Sequence, residues 1–263
     1  MRPFRLILAF LRASAQQEMA YRSNFLIGLL YSLLNLGVAL AGLGILYGQV
    51  ESIRGWDYRS TLALLGVYLT VSALRGLFIG PSLDSLAGMD GDILSGRFDF
   101  TLLKPVNLQF LVSFRQWRLF ALFDLALGLG VVVRALTLPG FALSPAGLLG
   151  FCAALAVGML ALYAVLLIFS ALVFWSPGFL FTWVFDGIFQ LARYPLGLYP
   201  GWLRLVLTWI VPVGLVTTLP AQALAGTLPA GMLAASAAFA GALFGAATLF
   251  FQHSLRRYSS ASS

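Results

Sequence analysis

LVLTWIVPVGLVTTLPAQALAGTLPAGMLAASAAFAGALFGAATLFFQHSL, residues 205–255, contains no Asp, Glu, Lys or Arg, and neither do residues 135–185. Each stretch is about 50 residues long, roughly twice the ~20 apolar residues that cross a bilayer as a helix. Inside hydrocarbon the backbone must satisfy its own hydrogen bonds, so apolar runs of this length are helices. These stretches decide the fold class: an all-α polytopic membrane protein. The rest of the 263-residue chain agrees, being 60% hydrophobic and only 10% charged, against ~25% charged in a soluble domain. The length allows roughly six or seven crossings. Residues 1–263 read as one transmembrane domain with no separate soluble domain.

Charge and rare residues exclude several functions. The net charge is +7, and fifteen of the sixteen cations are Arg. They are not clustered with interleaved aromatics, so nucleic-acid binding is set aside. A basic excess fits cytoplasmic ends of membrane helices. The single Cys152 lies in an apolar run and is read as packing, with no intrachain disulfide and no CxxC pair. One histidine, His253, gives no zinc or haem site. No GxSxG or HExxH occurs. The only lysine, Lys104, lacks the glycine-rich turn of a phosphate-gripping loop. The chain is therefore not expected to be an enzyme, to hold a metal, or to bind a cofactor itself. Any energy for its work comes from a partner. No cleavable signal peptide is seen at the start.

Residues 2–22 are expected to form an amphipathic helix. Arg2, Arg5, Arg12 and Gln16 fall on one side, and Phe4, Ile7, Leu8, Leu11 and Ala15 on the other. Such a helix lies in the headgroup layer. Spans are expected near 24–48, 60–82, 117–136 and 146–174. A fifth starts near Phe179 and runs into ARYPLGLYPGWLR, a region of interfacial character. Residues 202–218, bounded by Pro200 and Pro220 and broken by Pro212, are read as a re-entrant hairpin within 200–222, with a seventh span as the competitor. The last span lies near 230–252.

Six crossings with the N-terminus inside give the better charge balance. The inner side then carries Arg2, Arg5, Arg12, Arg22, Arg97, Lys104, Arg115, Arg118, Arg256 and Arg257. The outer side carries Arg54, Arg59, Arg134, Arg193 and Arg204. This satisfies the positive-inside rule, and a seventh span weakens it. Both termini are then cytoplasmic.

Three charges fall inside expected spans: Arg75, Asp124 and Asp186. At ~1.5 Å rise per residue all three sit ~12 Å deep, at similar height. An unpaired charge there costs roughly 3 kcal/mol or more. Arg75 is therefore expected to pair with Asp124 or with Asp186, as a structural ion pair or as a gate or relay.

Residues 83–115 form the longest polar segment, too charged to cross. They open with Gly88-Met89-Asp90-Gly91-Asp92, then a helix start at Ile93-Leu94, then Gly96-Arg97 and FDFTLLKPVN to Asn107. Acids near a helix start, cations near its end and a proline beyond favour a short helix there. Charges beside exposed Phe and Leu suit docking into a groove on a partner. The bland alternative is a solvated loop.

The stretch GDILSGRFDFTLLKPVN after a second span resembles the cytoplasmic loop of ABC-2-type transporter permeases. More narrowly, it resembles a bacterial uncharacterised permease group reading GD…DF…LLKPVN. The likeness extends to LARYPLGLYPGWLRLVLTWIVPVGLVTTLPAQAL and to the basic N-terminus. It implies six spans, an N-terminal elbow helix, and an outer re-entrant hairpin between helices five and six. It implies a permease in the bacterial inner membrane that works with two ATPase subunits, which supply ATP and Mg²⁺, and with a second permease, identical or related. The expected cargo is amphiphilic or hydrophobic, moved outward. Carried over by position, the ATPase-docking loop comprises Gly91, Asp92, Ile93, Arg97, Asp99, Phe100, Leu103 and Pro105. Rival readings are a transporter not driven by ATP, a membrane-embedded lipid-modifying enzyme, and a structural scaffold.

Overall fold

Two helices run through the centre of the bundle, and the others are arranged around them. The structure is a computed structural model that describes residues 3–258 except 21, 89, 140–143, 179 and 230. α1 is Pro3–Ala20 and α2 is Arg22–Tyr47. Strands β1 (Ser52–Ile53) and β2 (Trp56–Asp57) pair antiparallel. α3 spans Tyr58–Asp84 and α7 Pro145–Phe174, and these are the buried pair. Between them lie α4 (Arg97–Leu102), α5 (Leu108–Phe114) and α6 (Ala121–Leu136). Then come α8 (Phe181–Phe189), the bent pair α9 (Gly201–Ile210) and α10 (Gly214–Leu224), and α11 (Met232–Leu255).

The start of α3 is set by local chemistry. Arg54 (φ 50°) and Gly55 (φ 83°) adopt left-handed backbone in the β1–β2 turn, as a tight hairpin requires. This places Asp57 at the N-cap, where its carboxylate accepts from the Ser60 amide at 3.0 Å. α3 then packs on α6 through reciprocal glycines. A Cβ on Gly66 would lie 2.7 Å from the Val132 amide nitrogen, and one on Gly128 would lie 2.6 Å from that of Thr70. The two backbones touch because neither position carries a side chain. α7 is held likewise at Gly158, where a Cβ would lie 2.8 Å from the Leu215 carbonyl. Leu162, Leu166 and Leu167 on α7 and Leu64 and Val67 on α3 are fully buried.

Prolines set the bends. The described residues contain three wide π-turns, Arg75–Ile79, Val206–Ile210 and Gly214–Thr218. Each ends two residues before a proline: Pro81, Pro212 and Pro220. Proline has no amide to donate four residues back, so the preceding turn loosens. At Pro81 the orphaned Leu77 carbonyl accepts instead from the Arg118 amide at 2.9 Å. At Pro212 the helix breaks outright, and α9 and α10 meet at 73°.

Among the described residues four helices are long and apolar enough to cross a bilayer: α2 without its first residue, α3, α7 and α11. α9 with α10 makes a fifth if the bent pair counts as one crossing. These four coincide with the first, second, fourth and last expected spans. The other two expected spans are shorter. Helix replaces loop only from Ala121, giving 16 residues with Asp124 and Arg134 inside. The fifth has nine residues and then unwinds into 3₁₀ turns at Gln190–Arg193 and Leu196–Leu198, around Pro195. The 2–22 expectation gives a helix whose Arg5 and Arg12 are exposed, and Arg2 lies outside the described residues. Cys152 is exposed on the rim of α7 rather than packed.

Candidate functional site: the 83–115 loop and the charges behind it

The loop is a folded knuckle built around one carboxylate. Gly88 (φ 84°) turns the chain after α3, and a Cβ at Gly91 would lie 2.4 Å from the Ala87 carbonyl. Only glycine fits there. The Asp92 amide then donates to the Ser85 carbonyl at 3.0 Å, and the Asp92 carbonyl accepts from the Phe98 amide at 3.0 Å. Asp92 itself is 5% exposed. Its Oδ1 accepts from Arg97 Nε at 3.0 Å, and its Oδ2 pairs with Arg115. Arg115 also donates to Ser85 Oγ at 2.6 Å and reaches Thr101 Oγ1 at 3.5 Å. One buried carboxylate thus ties together the exit of α3, the start of α4 and the end of α5. A buried charge is stable only with such partners.

The expected helix is present, with a corrected start. Residues 91–95 form turns, and α4 begins only after Gly96, whose φ of 72° no β-carbon residue adopts cheaply. Asp99, not Asp92, is the acid in its first turn. Its last turn carries no cation, because Lys104 falls beyond the end.

α4 separates two kinds of side chain. Phe98 is fully buried and Ile93 nearly so. Phe100 is 71% exposed and Leu103 80%, with Leu94 and Leu102 also outward and Lys104, Pro105 and Arg97 beside them. The proposed docking set therefore divides. Gly91, Asp92 and Ile93 hold the knuckle together, and Arg97 both binds Asp92 and reaches the surface. Asp99 is half-buried, while Phe100, Leu103 and Pro105 form a free apolar edge with positive neighbours.

Sequence reasoning missed three members of this site. Arg115 was counted only as an inner-side cation. Asp84 and Tyr258 were not singled out at all. Tyr258 caps an aromatic cluster, 5.0 Å from the Phe98 ring and 6.1 Å from Phe174. Its hydroxyl donates to Asp99 at 2.9 Å. Beside it, the Arg257 guanidinium sits 4.4 Å over the Trp175 ring, whose Nε1 donates to Ser254 at 3.2 Å. The end of α11 is thereby fastened to α4 and α7. A tyrosine following two arginines at a helix end gave no periodic signal.

The charges within the bundle divide between two partners. Arg75, on the π-turn of α3, pairs with Asp186 of α8, lies 3.8 Å from Asp84 and stacks over Phe185 at 5.3 Å. Of the two acids expected for Arg75, the one beside it is Asp186. Asp124 instead accepts from Ser32 of α2 and lies 3.9 Å from Arg118. Arg118 also faces Glu18 of α1, whose carboxyl burial pushes up, against the pull of the Phe120 and Leu119 amides and of Arg118. Among the described residues no cluster of His, Cys, Asp and Glu could hold a metal ion.

A sequence model of the family described as ABC-2 family transporter protein matches residues 33–262. No curated protein and no solved structure matches the chain.

Proposed function

The chain belongs to the ABC-2 family of transporter proteins, and from that premise we propose that it is the permease subunit of an ATP-driven exporter of an amphiphilic or hydrophobic substrate. It is a multi-pass membrane protein that associates with an ATP-binding cassette partner, as membership of the family implies. In this reading two ATPase subunits, carrying ATP and Mg²⁺, dock on the 83–115 loop from the cytoplasm. A second permease, same or related, completes the complex in the bacterial inner membrane. The chain crosses six times, with the short Ala121–Leu136 and 181–193 segments as third and fifth crossings. α1 is the interfacial elbow, and α9–α10 form the outer re-entrant hairpin.

The observation that carries the docking assignment is the division of α4. One face is locked to the bundle through Phe98 and the Asp92 pairs, and the other presents Phe100 and Leu103 to solvent. Grouped exposed apolar side chains of this size on a charged loop suit a groove on a soluble protein. The rigid mount matters because a soft loop would absorb a push. Movement of α4 passes directly to the exit of α3 through Asp92–Ser85, to the end of α5 through Arg115, and to the end of α11 through Tyr258. The ATPase drives the change by contacting two permease conformations with different affinity.

The experiment is purification in mild detergent followed by intact-complex mass measurement. Two permease and two ATPase masses in one particle support the reading. A chain that emerges with no ATPase, from cells that also make the cassette protein, refutes it. The Phe100→Ala/Leu103→Ala double variant should lose the ATPase while remaining in the membrane.

A further inference from the structure

A cavity of about 620 Å³ lies between α1, α2, α3 and the start of α6, at the end of the bundle that carries the 83–115 loop. Its size is within the ~300–1,000 Å³ of small-ligand sites. Its charged end holds Glu18, Arg118 and Asp124. Two buried atoms on its wall have no hydrogen-bond partner in the protein: Ser72 Oγ, and Glu18 Oε2 on a carboxyl that the Phe120 and Leu119 amides only partly satisfy. Buried polar atoms are ordinarily satisfied, so these point to a ligand with donors and acceptors of its own. Away from the charges the wall becomes apolar. Leu36 and Leu127 line both this cavity and a second one of about 400 Å³, which continues past Leu40, Leu62 and Val131 to Tyr58 and Arg134. From Asp124 to Arg134 the groove follows about ten residues of α6, ~15 Å at 1.5 Å per residue. That is about half of a ~30 Å hydrocarbon core, one acyl chain long.

We propose that this groove binds a bilayer phospholipid with a zwitterionic headgroup, ammonium toward Glu18 and Asp124, phosphate toward Arg118, and an acyl chain along Leu36, Leu127 and Val131. Charge decides the class. Among the described residues of this end of the groove two carboxylates flank one guanidinium, so an anionic headgroup meets net repulsion there and a purely cationic amphiphile meets Arg118. Only a headgroup carrying both signs satisfies all three. The position decides the source. The groove runs along α2, where Tyr31 both lines the cavity and is exposed, next to the exposed Ile27, Leu34 and Val38, so the site borders the surface that an apolar span turns to lipid. α2 is otherwise little covered, with 6% of its most apolar stretch buried, and a lipid wedged between it and α6 completes its packing. This site stands apart from ATPase docking, and its failure leaves the transport reading intact.

The test uses the full chain in detergent, offered equimolar phosphatidylethanolamine and phosphatidylglycerol, with retained lipid read by native mass spectrometry. The wild type should retain the ethanolamine lipid about tenfold over the glycerol lipid, the effect of one charge-assisted contact. The Glu18→Gln/Asp124→Asn variant should lose that preference, and Leu127→Trp, which fills the groove, should lose retention of both. Monodisperse elution and an unchanged melting temperature identify variants that still fold. Equal retention of the two lipids by the wild type overturns the proposal without recourse to any variant. So does full displacement by soluble glycerophosphoethanolamine, which would make the ligand a free headgroup rather than a bilayer lipid.

Discussion

Tyr258 donates its phenolic hydrogen to Asp99 at 2.9 Å, joining the end of the last helix to a loop helix 159 positions earlier in the chain. The contact is seated in the aromatic cluster of Phe98 and Phe174, so its two components can be removed separately. Tyr258→Phe keeps the rings and should lower stability by about 1 kcal/mol, one hydrogen bond. Tyr258→Ala should lower it further, by roughly 0.5–1.5 kcal/mol for each lost ring pair. Thermal unfolding in detergent checks both. If the cluster also transmits force, Tyr258→Ala reduces ATPase stimulation in the complex more than Tyr258→Phe does.

Asp92 and Leu103 both lie in the docking loop, yet their substitutions should fail differently. Asp92→Ala strands the mostly buried Arg115 without its carboxylate, at about 3–5 kcal/mol. The loop then loses its fold, seen as rapid proteolysis between residues 85 and 105. Leu103→Ala touches nothing inside and should change stability by less than about 0.5 kcal/mol while weakening ATPase capture. A protease-resistant Asp92→Ala protein would contradict the structural role given to that carboxylate.

Gly128 and Gly130 are two positions apart on α6 and should respond oppositely to alanine. The new methyl at 128 would lie 2.6 Å from the Thr70 amide nitrogen, whereas at 130 nothing lies within 4 Å. Gly128→Ala should destabilise by about 1–3 kcal/mol through overpacking. Gly130→Ala should be neutral or stabilising by up to about 1 kcal/mol, the helix preference of alanine over glycine. Melting temperatures of the pair, measured side by side, decide this.

Asp57 makes the start of α3 sensitive to acid. Burial alone raises its carboxyl, but hydrogen bonds from Ser60 and Arg59 outweigh burial and leave it below its ordinary value of 3.8. A depressed folded value means the stabilisation is complete above the unfolded value and is lost as pH falls through the folded one. Wild type should therefore lose more stability than Asp57→Asn on acidification below pH 4. Near neutrality Asp57→Ala should cost about 1 kcal/mol, the loss of an N-cap. Parallel acid limbs for wild type and Asp57→Asn would rule out this source of pH dependence.

The fold class was legible because charge-free runs of this length have one solution in lipid. Four spans came out within two or three residues, since their ends coincide with polar loops. The short segments did not, because proline, glycine and Asp124 shorten the regular helix without changing the apolar composition that marks a crossing. The loop motif located α4, and the turn glycines explain why its helix starts at Arg97 rather than Ile93. Asp92 was singled out as a docking residue, yet its place at the buried hub depends on Arg115, 23 positions away. A sequence read locally does not pair such residues. The Arg75 partner was narrowed to two acids by depth alone, and only packing chose Asp186 and added Asp84.

The wide turn at Arg75–Ile79 has a mechanical corollary. It holds one residue more than an ordinary turn, which is about 100° of rotation about the axis. Residues 80–84 therefore present a face out of phase with the helix above them, and that offset aims Ser82 at the Gln116 backbone, which it grips from both sides at 2.8 and 3.0 Å. The Arg118 amide on the Leu77 carbonyl holds the offset in place. The segment thus behaves as a fixed offset rather than a spring: Pro81 has no amide with which to close the turn, so the Arg118 amide satisfies the Leu77 carbonyl without restoring the ordinary helical phase.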